Sequence, residues 1–86
     1  MKIAIYGNGE NIENQYAKCA IQAAKKGYEV VGNYDNIPEL VERLSERDVL
    51  YVMMNGIEKV ADNEFELEII SGTFGRYGTG ILSIED

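Results

Sequence analysis

The chain alternates short apolar runs with longer amphipathic stretches. Lys2–Tyr6 (KIAIY) is a β-branched run closed by Gly7-Asn8-Gly9, which predicts a strand ending in a loop. From Asn11 to Lys26, the residues Ile12, Tyr16, Cys19, Ala20, Ala23, Ala24 and Gly27 fall on one stripe. That spacing predicts an amphipathic helix, stopped by Gly27, whose small inner face suits close approach to a sheet. Tyr28–Tyr34 reads as a second strand and Asp35-Asn36 as a turn. Pro38 suits the first turn of a second helix, with Leu40, Val41 and Leu44 inside and Glu39, Glu42, Arg43 and Glu46 outside. Val49–Met54 (VLYVMM) is the continuous apolar run of a central parallel strand, followed by the turn signal Asn55-Gly56.

Residues 62–73 carry two patterns. Glu64 to Ile69 alternates polar and apolar, as a strand does, while Ala61, Phe65 and Ile69 recur at helical spacing. The alternation of the preceding elements favours a helix. Gly72, Gly75, Gly78 and Gly80 then read as a loose connection and Ile81–Ile84 as a last strand. The order predicts a three-layer α/β fold with a four-stranded parallel sheet, strand order 2-1-3-4. A chain of 86 residues holds one such domain, over residues 1–86. Ligands of these sheets bind beyond the carboxyl ends of the strands, near the switch between strands 1 and 3. That rim holds Gly7–Asn11, Asp35-Asn36 and Asn55–Lys59.

Charge narrows the partners. Fifteen acidic residues face eight basic ones, for a net charge of −7, and there is no histidine. Residues 1–34 hold four Lys and three Glu; the remainder holds four basic and twelve acidic side chains, a net of −8. This argues against a domain that holds DNA by its own field, and against an anionic membrane surface. A single cysteine, Cys19, excludes an internal disulfide and suits a reducing compartment, so a cytoplasmic location is expected. With no His and one Cys, neither a zinc centre nor a Cys–His nucleophile pair can be assembled. Nothing in the sequence asks for a metal or a cofactor.

The rim residues admit two readings. Gly7, Gly9 and Asn11 could bring backbone N–H groups to a phosphate at the helix N-terminus, with Asp35 where a ribose-binding acid would sit and Asn55 across the rim. On this reading the chain binds a nucleotide or similar ligand. The loop fails the last position of G-x-G-x-x-G, which is Ile12, and Glu10 and Glu13 put negative charge at the anion's place. The plainer reading is a tight turn with Asn11 capping the helix. Cys19, among alanines, reads as a core residue, and Phe74, Arg76 and Tyr77 as a loop packed on its own domain.

The same residues resemble the catalytic domain of serine site-specific recombinases, the resolvases and invertases. KIAIY, a polar loop, Gln15, and a helix running into Lys26-Gly27-Tyr28-Glu29-Val30-Val31 and Tyr34-Asp35 are similar to the family's Y-x-R-V-S-T-x-x-Q, G-Y-x-V and Y-x-D. Asp48–Val52 resembles its D-x-L-x-V strand, and Ile57–Asn63 (IEKVADN) can be laid over L-D-R-L-x-R-N. Gly80–Glu85 resembles the strand that follows the next helix.

In that family a serine attacks a DNA phosphodiester and arginines stabilise the charge that develops. Here the loop arginine is replaced by Asn8, and the nucleophile position falls at Glu10 or Asn11. The acid and first arginine of L-D-R correspond to Glu58 and Lys59, and the second arginine to Asp62. The family's long helix for dimerisation and DNA crossing, and its DNA-binding part, lie beyond the matched stretch. The resemblance thus implies a catalytically inactive recombinase-like domain serving as an interaction or self-association module, with a second copy or another protein as partner. An active DNA enzyme would need a different residue set, such as a Mg²⁺-binding cluster of Glu10, Glu58 and Asp62.

Overall fold

In the computed structural model, which describes residues 1–85, four strands and three helices alternate along the chain. They are β1 (Lys2–Tyr6), α1 (Ile12–Lys26), β2 (Glu29–Tyr34), α2 (Ile37–Leu44), β3 (Val49–Met54), α3 (Glu64–Gly75) and β4 (Gly80–Ser83). A short 3₁₀ turn, Ile57–Lys59, lies between β3 and α3. The sheet order is β2-β1-β3-β4 and every pairing is parallel, as the sequence predicts. Residues 64–75 form a helix, the favoured reading of the ambiguous stretch.

Alternation along β1 sorts the core into two layers. Ile3 and Ile5 meet Cys19 and Ala23 of α1 and Met53 of β3. Ala4 and Tyr6 face the other way, with Leu40 and Leu44 of α2, Phe74 of α3, and Val52 and Met54 of β3. Both faces of β1 and β3 are covered, which explains their unbroken apolar runs. Gly27 ends α1 in the left-handed conformation (φ 74°), its N–H donating to the Ala24 carbonyl, and Tyr28 N–H then bonds the Ala23 carbonyl.

Four details differ from the sequence expectation. The buried line of α1 runs through Gln15, Cys19 and Ala23, while Ala20 and Ala24 are exposed. A buried polar Gln15 hides this line from a hydrophobic pattern, which drifts one position around the helix. Asn11 does not cap α1 with its side chain. Its backbone is left-handed (φ 58°), whereas a side-chain N-cap requires the extended region. β2 begins at Glu29 and β4 covers Gly80–Ser83, a shift of one residue at each boundary. Gly72 and Gly75 belong to α3 rather than to a loose connection. The Ala61-Phe65-Ile69 spacing, which signals the helix, does not mark its inner face. Phe74 is fully buried and Ile70 packs on the core, but Phe65 is 71% and Ile69 52% exposed. Ala61 is buried ahead of the helix.

Candidate functional site

Because the strands are parallel, β1, β2 and β3 all deliver their carboxyl ends to one rim. The loop from Gly7 to Asn11 begins with Gly7 N–H donating to the Tyr34 carbonyl at 2.9 Å, which extends the β1–β2 ladder by one bond. Gln15 then holds the loop from below. It is 4% exposed, accepts from Asn8 N–H at 3.1 Å, and donates through Nε2 to the carbonyls of Asn8 (2.8 Å) and Glu10 (3.0 Å). The sequence signal for this residue is its match to the glutamine that closes the Y-x-R-V-S-T-x-x-Q pattern, since the apolar stripe of the helix passes it by.

The two loop glycines answer local needs. Gly9 has φ 83°, a conformation that costs a side-chain-bearing residue about 1 kcal/mol or more. A Cβ on Gly7 would lie 2.8 Å from Tyr16 Cε1 and 2.9 Å from Ile12 Cγ1, so the first turns of α1 fill that space. The Asn8 N–H, which a phosphate cradle would need, already bonds Gln15. At the end of β2, the Asp35 carboxylate accepts from Asn36 Nδ2 (3.1 Å), and Asn36 caps α2 through Glu39 N–H (2.9 Å). Asp35 also faces two phenols. Burial, then the Asp35 charge, raises the pKa of Tyr6; the same two causes, followed by Glu13 and Tyr6, raise that of Tyr16. At the end of β3, Asn55 Oδ1 is buried without a hydrogen-bond partner among the described residues, while its carbonyl accepts from Glu85 N–H (2.9 Å).

The Asn8, Lys59 and Asp62 positions come together. A groove of about 110 Å³ is lined by Tyr6, Asn8, Glu58, Lys59, Val60, Ala61, Asp62 and Glu66. Asn8 Nδ2 donates to the Lys59 carbonyl at 3.3 Å and ties the β1 loop to the 3₁₀ turn. Asn63 caps α3 by accepting from Glu66 N–H (2.9 Å), and the Glu66 carboxylate reaches one residue further back to accept from Asp62 N–H (2.8 Å). The Glu58 carboxylate folds against Gly56, in the space a side chain there would occupy. The groove thus holds three carboxylates and one ammonium. Glu10 and Asn11 are exposed in the β1 loop and do not line it. Glu10, Glu58 and Asp62 do not form a group spaced to hold a metal ion. Tyr6, which sequence reasoning left in the strand, lines the groove although its side chain is largely buried in the core; its place as the last residue of β1 is the signal for it. Cys19 lies away from the rim in the core, where burial, then the charge of Glu85, pushes its thiol up to about 11.

The whole chain aligns with the C-terminal catalytic domain of ISC1926 TnpA, an IS607-like serine recombinase, at a TM-score of 0.85 and 22% identity, over 71% of that chain. Ninety-eight per cent of it matches a resolvase family site-specific recombinase from Streptococcus pneumoniae (TM-score 0.86, 17% identity, 72% of that chain). The N-terminal catalytic domain of TP901-1 integrase matches equally far (TM-score 0.83, 16% identity, 77% of that chain). The fold is that of serine recombinase catalytic domains. No protein-family model matches the sequence, and no curated protein aligns with it significantly. At such identities the likeness to these recombinases carries the architecture, and the chemistry has to be read from the rim residues themselves. No helix among the described residues is long and apolar enough to cross a membrane.

Proposed function

We propose that this chain is a catalytically inactive domain of the serine recombinase type, acting as a protein interaction module in a reducing compartment such as the cytoplasm. The composition of the rim carries the reading. Asn8, Lys59 and Asp62, the positions laid over the recombinase arginines, share a groove whose charges are three carboxylates and one ammonium. The candidate nucleophile positions hold Glu10 and Asn11. An arginine finger on a transferring phosphoryl group is worth roughly 10³–10⁵ in rate, so replacing all three, two of them by uncharged or acidic residues, leaves strand cleavage without its main stabilisation.

Among the residues lining the groove, the one that carries a hydroxyl is Tyr6, itself buried. Its pKa is raised by burial and by Asp35, so the phenolate needed for attack is scarce at neutral pH. The test is incubation of the purified chain with supercoiled and nicked DNA, with and without Mg²⁺, followed by denaturing electrophoresis. No nicking and no covalent protein–DNA adduct is the expected result. An adduct, or cleavage lost in Glu10→Ala, overturns the proposal.

A further inference from the structure

We propose that the outer face of α3, with the groove beside it, docks a cationic amphipathic segment of a partner protein. The inference rests on the interaction-module reading and supplies its surface and the chemistry of its partner.

The apolar part comes first. Phe65 and Ile69 are 71% and 52% exposed and stand one helical turn apart on the same face. Beside them a shallow groove of about 290 Å³ is lined by Val60, Glu66, Ile69 and Ile70. This groove shares Val60 and Glu66 with the polar groove at the rim, so the two lie side by side. Together they form a two-part depression, apolar at the α3 end and acidic at the rim end. An apolar pair at i, i+4 beside a groove is the geometry that receives an amphipathic helix.

Charge selects the occupant. Glu58, Asp62, Glu64, Glu66 and Glu68 surround this depression or flank it on α3, with Lys59 as the cation among them. Among the described residues, no salt bridge reaches any of these five carboxylates. No basic residue occupies the last turn of α3. A second copy of this chain would bring a net charge of −7 and the same acidic face into contact, and like charges at close quarters suppress association. A segment with Leu or Phe at helical spacing and Lys or Arg on its flanks satisfies both the apolar pair and the carboxylates.

The experiment uses the full chain and three synthetic peptides. One is an amphipathic helix of Leu and Lys, the second replaces every Lys by Glu, and the third replaces every Leu by Ser. Binding is followed by fluorescence anisotropy, and the contact surface is mapped by amide chemical shifts. The Leu/Lys peptide is expected to bind with shifts confined to residues 57–70, and the other two to bind at least about tenfold more weakly. Phe65→Ser with Ile69→Ser removes two exposed side chains, so the fold is retained, and binding falls at least about tenfold. Glu58→Gln with Glu68→Gln, or about 0.5 M salt, weakens it further through the charge component.

Equal binding of the Glu peptide, shifts elsewhere on the molecule, or unchanged affinity in the Phe65→Ser/Ile69→Ser variant overturns the proposal. So does a dimer in light scattering that this double variant dissolves, since the face would then receive a second copy. That last result leaves the interaction-module reading standing, whereas a covalent DNA adduct removes the reading itself.

Discussion

At the amino end of the sheet, Asp48 receives Arg43 at 2.7 Å and Lys2 at 3.0 Å. Arg47 donates to the Arg76 carbonyl at 2.9 Å, its guanidinium 5.5 Å from the centre of the Tyr77 ring. At the carboxyl end, Lys59 shares its groove with Glu58, Asp62 and Glu66, and no salt bridge forms there among the described residues. One rim resolves its charges inside the domain; the other leaves them facing outward. The hydrogen bond from Arg43, then that from Lys2, holds the Asp48 carboxyl far below the usual carboxylate range. The difference teaches where charge is tied down in this fold: ion pairs close at the amino rim, and the carboxylates at the carboxyl rim stay outside any salt bridge among the described residues.

The loop at the carboxyl rim nonetheless has an anchor, and breaking it is expected to have the largest effect. Gln15→Leu keeps the bulk but removes three hydrogen bonds to Asn8 and Glu10. At about 1 kcal/mol each, roughly 3 kcal/mol of stability is lost. Denaturant unfolding measures the loss, and hydrogen exchange is expected to accelerate first at Asn8. If exchange accelerates at the amino rim instead, the loop is not held by Gln15.

Gly7→Ala comes next. The new Cβ meets Tyr16 and Ile12 below 3 Å, so α1 must shift, at an expected cost of about 1–3 kcal/mol. A neutral outcome accompanied by gain of nucleotide binding would return the loop to the phosphate-cradle reading. Thermal denaturation with and without nucleotides gives both answers.

Much of this was open to sequence reading, and the reasons are physical. The strand order follows from uninterrupted apolar runs in β1 and β3, since only strands covered on both faces read that way. Parallel order then gathers Gly7, Asp35 and Asn55 at one rim without any coordinates. What stays hidden is whatever depends on a single side-chain direction. Gln15 looks like a surface residue until its partners are known. For Phe65 and Ile69, helical spacing shows that they share a face, not that this face turns outward. Asn11 sits where a cap belongs, but its left-handed backbone turns the side chain away from that role.

A third prediction concerns the amino rim alone. Asp48 has a folded pKa lowered by its partners, so its contribution is complete above the unfolded value of about 4 and fades as pH falls toward the folded value. Asp48→Asn is therefore expected to be less stable than the parent at pH 7, with the gap closing below about pH 4. Melting temperatures measured from pH 7 down to pH 2 check this. Parallel curves for the two proteins would mean that the ion pairs in the structure add nothing to folding.

The smallest effect has the opposite sign and belongs to the outward-facing charges. Glu64 and Glu68 stand four residues apart on the exposed side of α3, and like charges at that spacing repel. Glu68→Lys turns the pair into an attractive one, with Glu on the amino-terminal side as the helix dipole favours, and adds a cation toward the end of a helix that has none in its last turn. Stability is expected to rise by about 0.5 kcal/mol at low ionic strength, and the gain to shrink in about 1 M salt. Such a gain would show that the carboxylates of this face lack a counter-charge within the fold, as the proposed docking of a cationic segment requires. A loss of stability on Glu68→Lys would show instead that these carboxylates already have their counter-charges within the fold.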